Sequence, residues 1–272
     1  MKLDRLHEQD IPALLDLARE IGWGYNPDNW RLFMSLGVVL GHRDDGGRPI
    51  SSAVMIKYGD SLRWLTSFIV SPRFQRRGLA RALWEGLRAA DAGTRAPIGL
   101  VSTEEGIPFY GSIGFKQVAT LRKYVRVDGR GLSPSRDLAA AGLADLNAIA
   151  ALDSAASGVA RRSMLEGKLR SAVSARISRD GFAIAVMEGE LLCIGPVVAP
   201  NASLALDLIL AVAADHLGTI RLDLPYDQSD LARRLEERQF ELEREPPVLS
   251  YGGAALPPSS KHYVAIAAQA LA

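Results

Sequence analysis

The run Ile69–Arg81 constrains the fold most, because a strand ends there and a helix begins within a few residues. The stretch Leu62–Val70, which leads into this run, is largely apolar, and Pro72 cannot donate a hydrogen bond to extend a strand. After it, Leu79, Leu83 and Leu87 recur at helical spacing. The sequence therefore predicts a strand, a basic turn and a helix that begins near residues 75–78.

This turn has the chemistry of an anion site, and we refer to residues 73–81 as the cradle. The first N–H groups of a helix lack intrahelical partners and carry partial positive charge. Gly78 lets the backbone approach a bulky ligand closely. Four arginines surround it: Arg73, Arg76, Arg77 and Arg81. These features predict pyrophosphate binding, although an exposed helix start with solvated arginines has the same pattern. The cradle is neither a P-loop nor a three-glycine dinucleotide fingerprint.

A second block follows at residues 98–118. It contains a short apolar strand, a short helix with Pro108, Phe109 and Tyr110, and then Gly114-Phe115 leading into another strand. Gly114 is suited to a left-handed helix C-cap.

Together the two blocks resemble the GCN5-related N-acetyltransferase (GNAT) superfamily. Its coenzyme motif is Gln/Arg-x-x-Gly-x-Gly/Ala, matched by Gln75, Gly78 and Ala80, and its next motif is a tyrosine-bearing helix followed by Gly-Phe. The resemblance implies an acetyltransferase with acetyl-CoA as co-substrate and no metal. It assigns coenzyme binding to the strand end and the cradle: Ile69, Val70, Gln75, Arg76, Arg77, Gly78, Leu79, Ala80 and Arg81. The implied fold is α/β, with a mixed, largely antiparallel sheet flanked by helices in each domain.

Two domains are expected from a chain of 272 residues. Residues 128–137 collect Gly, Ser and Pro before an alanine-rich stretch, which predicts a helix from Asp137 to about Leu152. We therefore predict a catalytic domain at residues 1–128, a linker at 129–137 and a second domain at 138–272.

The second half repeats the outline of the first without its chemistry. Pro72 and Phe115 are 43 positions apart, and Pro200 and Phe240 are 40 apart. No Gln-x-x-Gly-x-Ala follows Pro200, and Leu235 stands where the first half has Tyr110. This pattern predicts a degenerate GNAT-like domain that binds no coenzyme, although any two αβ domains share part of the rhythm.

By resemblance, Tyr110 is the predicted general acid. A tyrosine has an ordinary pKa of about 10, so it is protonated at neutral pH and can protonate a departing thiolate. The strand end at Ile69–Val70 would polarise the thioester carbonyl, and the pantetheine arm would lie along the same strand edge.

The general base is left open. Many members of the superfamily use a glutamate on the strand before the cradle, but residues 63–68 contain no carboxylate. A water held by Thr66 or Ser67 could deprotonate the amine, or a carboxylate could come from Glu104 or Glu105, which are equally suited to a helix N-terminus.

The acceptor amine is predicted to meet the aromatic loop at residues 21–30, through Trp23, Tyr25 and Trp30. Trp30 is equally suited to the core. We expect a primary amine of a small molecule. The alternatives are an acyl-CoA-binding regulatory protein without turnover and a transferase that uses another acyl-CoA.

Composition narrows the remaining classes. A net charge of +1 gives no basic field for nucleic acid, and no apolar stretch is long enough to span a membrane. Cys193, the single cysteine, lies in an apolar run and is expected in the core. These features predict a cytoplasmic protein without nucleic-acid or membrane partners. Oligomeric state is not predicted.

Overall fold

In the computed structural model, which describes all 272 residues, the first unit of the chain is Met1–Gly99 and the second is Leu100–Ala272. The first unit has one sheet in the order β1-β2-β3-β4-β5, antiparallel except for the parallel pair β4 and β5. Its elements are β1 Lys2–Arg5, α1 Ile11–Arg19, α2 Pro27–Leu36, β2 Gly37–Arg43, β3 Ser51–Tyr58, β4 Leu62–Val70 and α3 Leu79–Ala90; β5 Ile98–Val101 crosses into the second unit.

The second unit has the sheet order β13-β6-β11-β10-β9-β8-β7, with β12 on β6 and β14 on β10. The strands β10 and β11 run parallel, whereas β6 is antiparallel to β11, β12 and β13, β10 is antiparallel to β9 and β14, and β8 is antiparallel to β7 and β9. Its elements are α4 Ile107–Ser112, β6 Phe115–Arg126, β7 Ala139–Ala140, α5 Leu146–Ser157, α6 Arg162–Ser171, β8 Ala172–Ser178, β9 Gly181–Glu188, β10 Leu191–Val198, α7 Ala202–Ala213, β11 Ile220–Pro225, α8 Ser229–Glu236, β12 Glu241–Arg244, β13 Pro247–Tyr251 and β14 Tyr263–Ala265.

The predicted α/β class with mixed, largely antiparallel sheets and flanking helices is confirmed. None of the helices is both long and apolar enough to cross a bilayer.

Strand β6 explains why the division between the two units falls before it in the chain, within β5. Its first half, Phe115–Thr120, pairs with β13, and its second half, Leu121–Arg126, pairs with β11. Because strands from late in the chain pair along β6, this strand is packed with the later residues. The predicted domain boundary at 129–137 stays a prediction. Within that segment, the Ser135 amide and the Arg136 Nε donate to Asp207 on α7 at 2.8 and 2.7 Å.

Two predicted element boundaries are corrected. The helix predicted from Asp137 begins at Leu146, because Ala139 and Ala140 pair with β8 instead and Gly142 is extended (φ −156°). Here tertiary pairing overrides the helix propensity of alanine. The loop predicted at residues 21–30 ends earlier than expected, because α2 begins at Pro27 with Asn26 as its N-cap.

Both units bury apolar helix faces against their sheets. In the first unit, Leu83 and Leu87 on α3 are fully buried, as their spacing predicted. In the second, α7 is buried along nearly its whole length and joins one core with β9, β10 and β11. Cys193 is buried as expected.

Candidate functional site

The cradle presents uncapped N–H groups at the start of α3. Pro72–Phe74 forms one 3₁₀ turn, and α3 then begins at Leu79 with Gly78 as its N-cap residue. Gly78 is left-handed (φ 79°) and provides no side-chain acceptor for the first amides of this 12-residue helix. A Cβ at Gly78 would meet nothing within 4 Å, so there is open space beside this residue. Such a helix start can bind a phosphate.

The four arginines of the cradle are exposed, and none pairs with a carboxylate within 4.0 Å. Arg77 lies 5.2 Å from the Phe74 ring centroid and donates from Nη2 to the Arg73 carbonyl at 3.4 Å. Arg76 is left-handed (φ 60°). Their positive charge is therefore not neutralised locally, which favours an anionic ligand.

The other predicted coenzyme residues occupy the end of β4 and the first turn of α3. Ile69 is buried against Leu17 and Ala18, so its side chain belongs to the core and only its backbone can serve a ligand. The Gln75 amide donates to the Val70 carbonyl at 3.3 Å and holds the turn against β4. Leu79 is buried, whereas Ala80 is half-buried and Arg81 is exposed.

Strand β4 has a bulge just before the cradle. Its register against β3 shifts between Ser52 and Val54, and Ser67 adopts the left-handed conformation (φ 48°). The Ser52 hydroxyl donates to the Ser67 carbonyl at 2.9 Å. The parallel register with β5 comprises only Arg63 and Trp64, while β4 continues to Val70. The end of β4 thus offers a backbone edge.

Ser67 is also an unsatisfied polar residue. It is 2% exposed, and its hydroxyl has no hydrogen-bond partner. Buried polar groups are usually paired, so an unpaired hydroxyl at a strained bulge indicates a place for a water or a ligand group. Thr66 beside it is buried.

The predicted acceptor residues form an aromatic cluster with Phe33. Tyr25 lies at its centre, with ring centroids 5.7 Å from Trp23, 5.8 Å from Trp30 and 5.4 Å from Phe33. Trp23 and Tyr25 are half-buried, whereas Trp30 is fully buried and its indole Nε1 lacks a partner. Trp30 therefore supports the cluster from the core side.

The charged side chain on β4, that of Arg63, belongs to a network of ion pairs around Asp91. Arg63 on β4 donates from Nε to Asp91 at 2.6 Å, and Lys57 contacts the same carboxylate at 2.7 Å. Burial alone would raise the pKa of Asp91, but the hydrogen bonds from Lys57 and Arg63 lower it. An ionised carboxylate held by two cations is a poor general base.

In the second unit, Tyr110 lies on α4, and Gly114 follows that helix in the left-handed conformation (φ 98°), as predicted. The Tyr110 ring is half-buried, with its centroid 5.7 Å from that of Phe115. Phe115 in turn lies 5.5 Å from Tyr251 on β13, a residue that the sequence analysis missed because nothing local links it to this helix.

Glu104 and Glu105 lie exposed in a 3₁₀ turn. Hydrogen bonds from the Glu105 amide and the Thr103 side chain lower the pKa of the Glu105 carboxyl. A lower pKa makes this carboxylate a weaker base.

The helix start that corresponds to the cradle in the later half of the chain, that of α7, is capped by a side chain. Asn201 is the N-cap of α7, and its side-chain oxygen accepts from the Leu204 amide at 3.0 Å. Leu235 on α8 is fully buried, unlike Tyr110. Gln239 is left-handed (φ 63°) before Phe240, as Gly114 is before Phe115. Residues 200–240 thus keep the left-handed turn of the earlier half of the chain, with Asn201 as a side-chain cap and a buried leucine in place of Tyr110.

No three His, Cys, Asp or Glu residues are grouped to hold a metal ion. Two surface clefts of the first unit, next to α1 and α2, contain no residue of the cradle. Both are lined by Arg31, which pairs with Glu8 and Asp28. The Arg31 guanidinium that lines both clefts is therefore already paired with carboxylates.

Comparison with known proteins gives two family matches and one curated relative. Models described as acetyltransferase (GNAT) domains match residues 39–126 and residues 149–265. YitH of Bacillus subtilis (strain 168), an uncharacterised N-acetyltransferase, is 29% identical over 280 residues, which cover 99% of this chain and 98% of the relative.

Solved structures share the fold at low identity. One from Pyrococcus horikoshii, provisionally described as an acetyltransferase, has a TM-score of 0.83 at 16% identity and covers 100% of this chain and 95% of that chain. A tandem GNAT protein from the clavulanic acid biosynthesis pathway has a TM-score of 0.68 at 14% identity, covering 95% of this chain and 99% of its own.

Proposed function

This chain is a tandem member of the GNAT superfamily and an N-acetyltransferase, and from that premise we propose that its first domain transfers acetyl from acetyl-CoA to a primary amine of a small molecule. The observation that carries the proposal is the difference between the two helix starts. The amides of α3 are uncapped behind Gly78, whereas those of α7 are capped by Asn201. A pyrophosphate would bind the first and be excluded from the second.

The residues of the cradle divide the work of binding. Backbone N–H groups of Gly78, Leu79 and Ala80 bind the pyrophosphate, while the exposed arginines supply charge. Gln75 keeps the turn against Val70 through its amide. The free edge of β4 after Trp64 pairs with the pantetheine arm, and the backbone at Ile69–Val70 polarises the thioester carbonyl.

Ser67 supports a water route for the amine proton. Its hydroxyl is buried and unpaired at the β4 bulge, so it can hold a water that accepts the proton. Glu105 is the weaker candidate because its pKa is lowered. Correct positioning of the amine supplies much of the rate in such a reaction, so a strand carboxylate is not required.

Tyr110 is the general acid in this proposal. Its hydroxyl protonates the departing thiolate as the bond from the carbonyl carbon to sulfur breaks. Trp23 and Tyr25 are the aromatic residues exposed enough to contact the acceptor, and Trp30 positions them. Aromatic faces favour a cationic or apolar amine.

The test is a thiol-release assay with acetyl-CoA across a panel of small primary amines, with binding measured separately by thermal shift. Propionyl- and succinyl-CoA examine the acyl preference. We expect saturable thiol release with at least one small amine and acetyl-CoA. Acetyl-CoA binding without release on any amine would contradict turnover and favour a regulatory protein, and release only on protein lysines would contradict the small-molecule acceptor.

A further inference from the structure

Strand β14 lies in a cleft between β10 and β11. These two strands pair through Leu192, Cys193 and Ile194 and then diverge. The register of β10 against β9 shifts between Ile194 and Val197, and past the shift β10 pairs with β14, Val197 opposite Ala265. On its other side, the Ile266 amide donates to the Asp223 carbonyl on β11 at 3.0 Å. Residues 262–267 therefore fill the gap where the parallel pair opens.

The fit of this segment is close. Tyr263, Val264 and Ala265 are all buried, and the Ala199 amide donates to the His262 carbonyl at 2.9 Å. A Cβ at Gly195 would lie 2.0 Å from the Ile266 carbonyl oxygen, a contact with backbone that could not be relieved by a side-chain rotation. The approach of the segment to β10 thus requires glycine at position 195.

Buried polar groups anchor both ends of the segment. The Tyr263 hydroxyl accepts from Arg161 Nη2 at 2.6 Å and from the Ala267 amide at 3.0 Å. Arg161 is held by two 2.8 Å hydrogen bonds to Asp153, an ion pair that is almost completely buried. Lys168 Nζ donates to the Ala267 carbonyl at 2.5 Å. A site with this many buried, paired groups is organised to hold an extended backbone.

The first unit has the same arrangement without the inserted strand. There β4 pairs in parallel with β5 through Arg63 and Trp64 only, and its register against β3 also shifts just before the free edge. We propose that the cleft between β10 and β11 is a peptide-binding slot equivalent to the pantetheine slot of the first domain. Residues 262–267 occupy it and close the second domain to acyl-CoA. The equivalence to a pantetheine slot rests on the proposed function; the occupation of the cleft does not.

Hydrogen exchange on the full-length protein without ligand tests the occupation. The amides of Ala199 and Ile266 should exchange as slowly as that of Leu192, which pairs with the Thr219 carbonyl. Gly195→Ala should speed exchange at both amides by roughly tenfold or more, because the new Cβ displaces Ile266. Gly142→Ala is the matched control, since its Cβ would meet nothing within 4 Å, and it should change neither amide.

Tyr263→Phe keeps the ring and removes only the hydroxyl, so it serves if the Gly195 variant does not fold. The Ala267 amide donates to both the Tyr263 hydroxyl and the Ala272 carbonyl, so loss of the hydroxyl should speed exchange at Ala267 severalfold. Rapid exchange of Ile266 in the wild-type protein, or unchanged exchange in both variants, would overturn the proposal.

Adding acetyl-CoA separates this proposal from the proposed function. The ligand should protect amides of the cradle and leave Ile266 unchanged. Displacement of the segment by acetyl-CoA, seen as faster exchange at Ile266, would contradict a closed slot. If acetyl-CoA protects no amide of the cradle and exchange at Ile266 stays unchanged, only the proposed function is contradicted.

Discussion

Ser67 and Gly78 are the two residues whose backbone conformations distinguish the end of β4 and the start of α3 from an ordinary strand and helix. Ser67 holds a left-handed conformation that is unfavourable for a residue with a Cβ, and its hydroxyl is buried without a partner. Gly78 places a left-handed residue where a side-chain cap would otherwise stand. Glycine adopts this conformation freely, whereas Ser67 is strained, and strain of this kind is concentrated at functional sites.

Tyr110→Phe tests the proposed general acid. It should lower kcat by about 10²–10⁴-fold, because a positioned proton donor contributes that much, and leave the Kd for acetyl-CoA nearly unchanged. Steady-state kinetics and thermal shift measure the two effects. Tyr226→Phe is the control, since Tyr226 is 53% exposed and lies outside α4. Full activity of the Tyr110 variant would remove the acid role.

The sequence predicted the helix start at Gly78, the left-handed Gly114 and the helix that carries Tyr110, because each belongs to a local motif with a physical reason for its spacing. It could not decide between core and pocket for Trp30, since an aromatic residue at a helix start is suited to both. It named Ser67 only as a water-holding candidate, because a bulge depends on the register of a neighbouring strand. Tyr251 had no local signal at all.

Among the elements, α6 carries a buried lysine whose titration is measurable. Burial lowers the pKa of Lys168 from 10.5 to about 8, partly opposed by the charge of Glu188. Between those values the unfolded chain binds the proton and the folded chain does not, so stability rises with pH across this interval.

We therefore expect the free energy of unfolding of wild-type protein, relative to Lys168→Met, to increase by about 3 kcal/mol as pH rises from about 8 to above 10. Urea titrations under reducing conditions at several pH values measure this difference. The difference between wild type and Lys261→Met, at an exposed lysine, should stay flat. If the difference for Lys168 were also independent of pH, folding would not lower the pKa of this lysine.

Elements with strong local signals were predicted correctly, as for β4 and the apolar face of α3. The start predicted for the helix at Asp137 was wrong because Ala139–Ala140 pairs with β8, and local composition cannot reveal such a pairing. The three residues of β14 follow a proline-containing loop and are too few to show periodicity.

At the scale of the whole chain, the two regions that match GNAT domain models share an outline but differ at their helix starts and strand gaps. In the first region, the start of α3 has no side-chain cap. In the second, Gln239 keeps the backbone turn, but Asn201 caps α7, Leu235 replaces the tyrosine and β14 pairs with the free edge of β10. The internal comparison of the sequence found the missing coenzyme motif and Leu235, but not the cap by Asn201 or the insertion of β14. It did not find that β6 is shared between β13 and β11, because pairing across more than 90 residues leaves no local pattern.

The central claim is that the cradle of the first domain alone binds acetyl-CoA, and isothermal titration calorimetry tests it most directly. We predict one equivalent of acetyl-CoA per wild-type chain. Gly78→Glu should weaken binding by about 100-fold or more, because a carboxylate would repel the pyrophosphate. Gly47→Glu, at another open left-handed glycine (φ 81°), should bind normally. Two equivalents per chain, or undiminished binding by Gly78→Glu, would contradict the account.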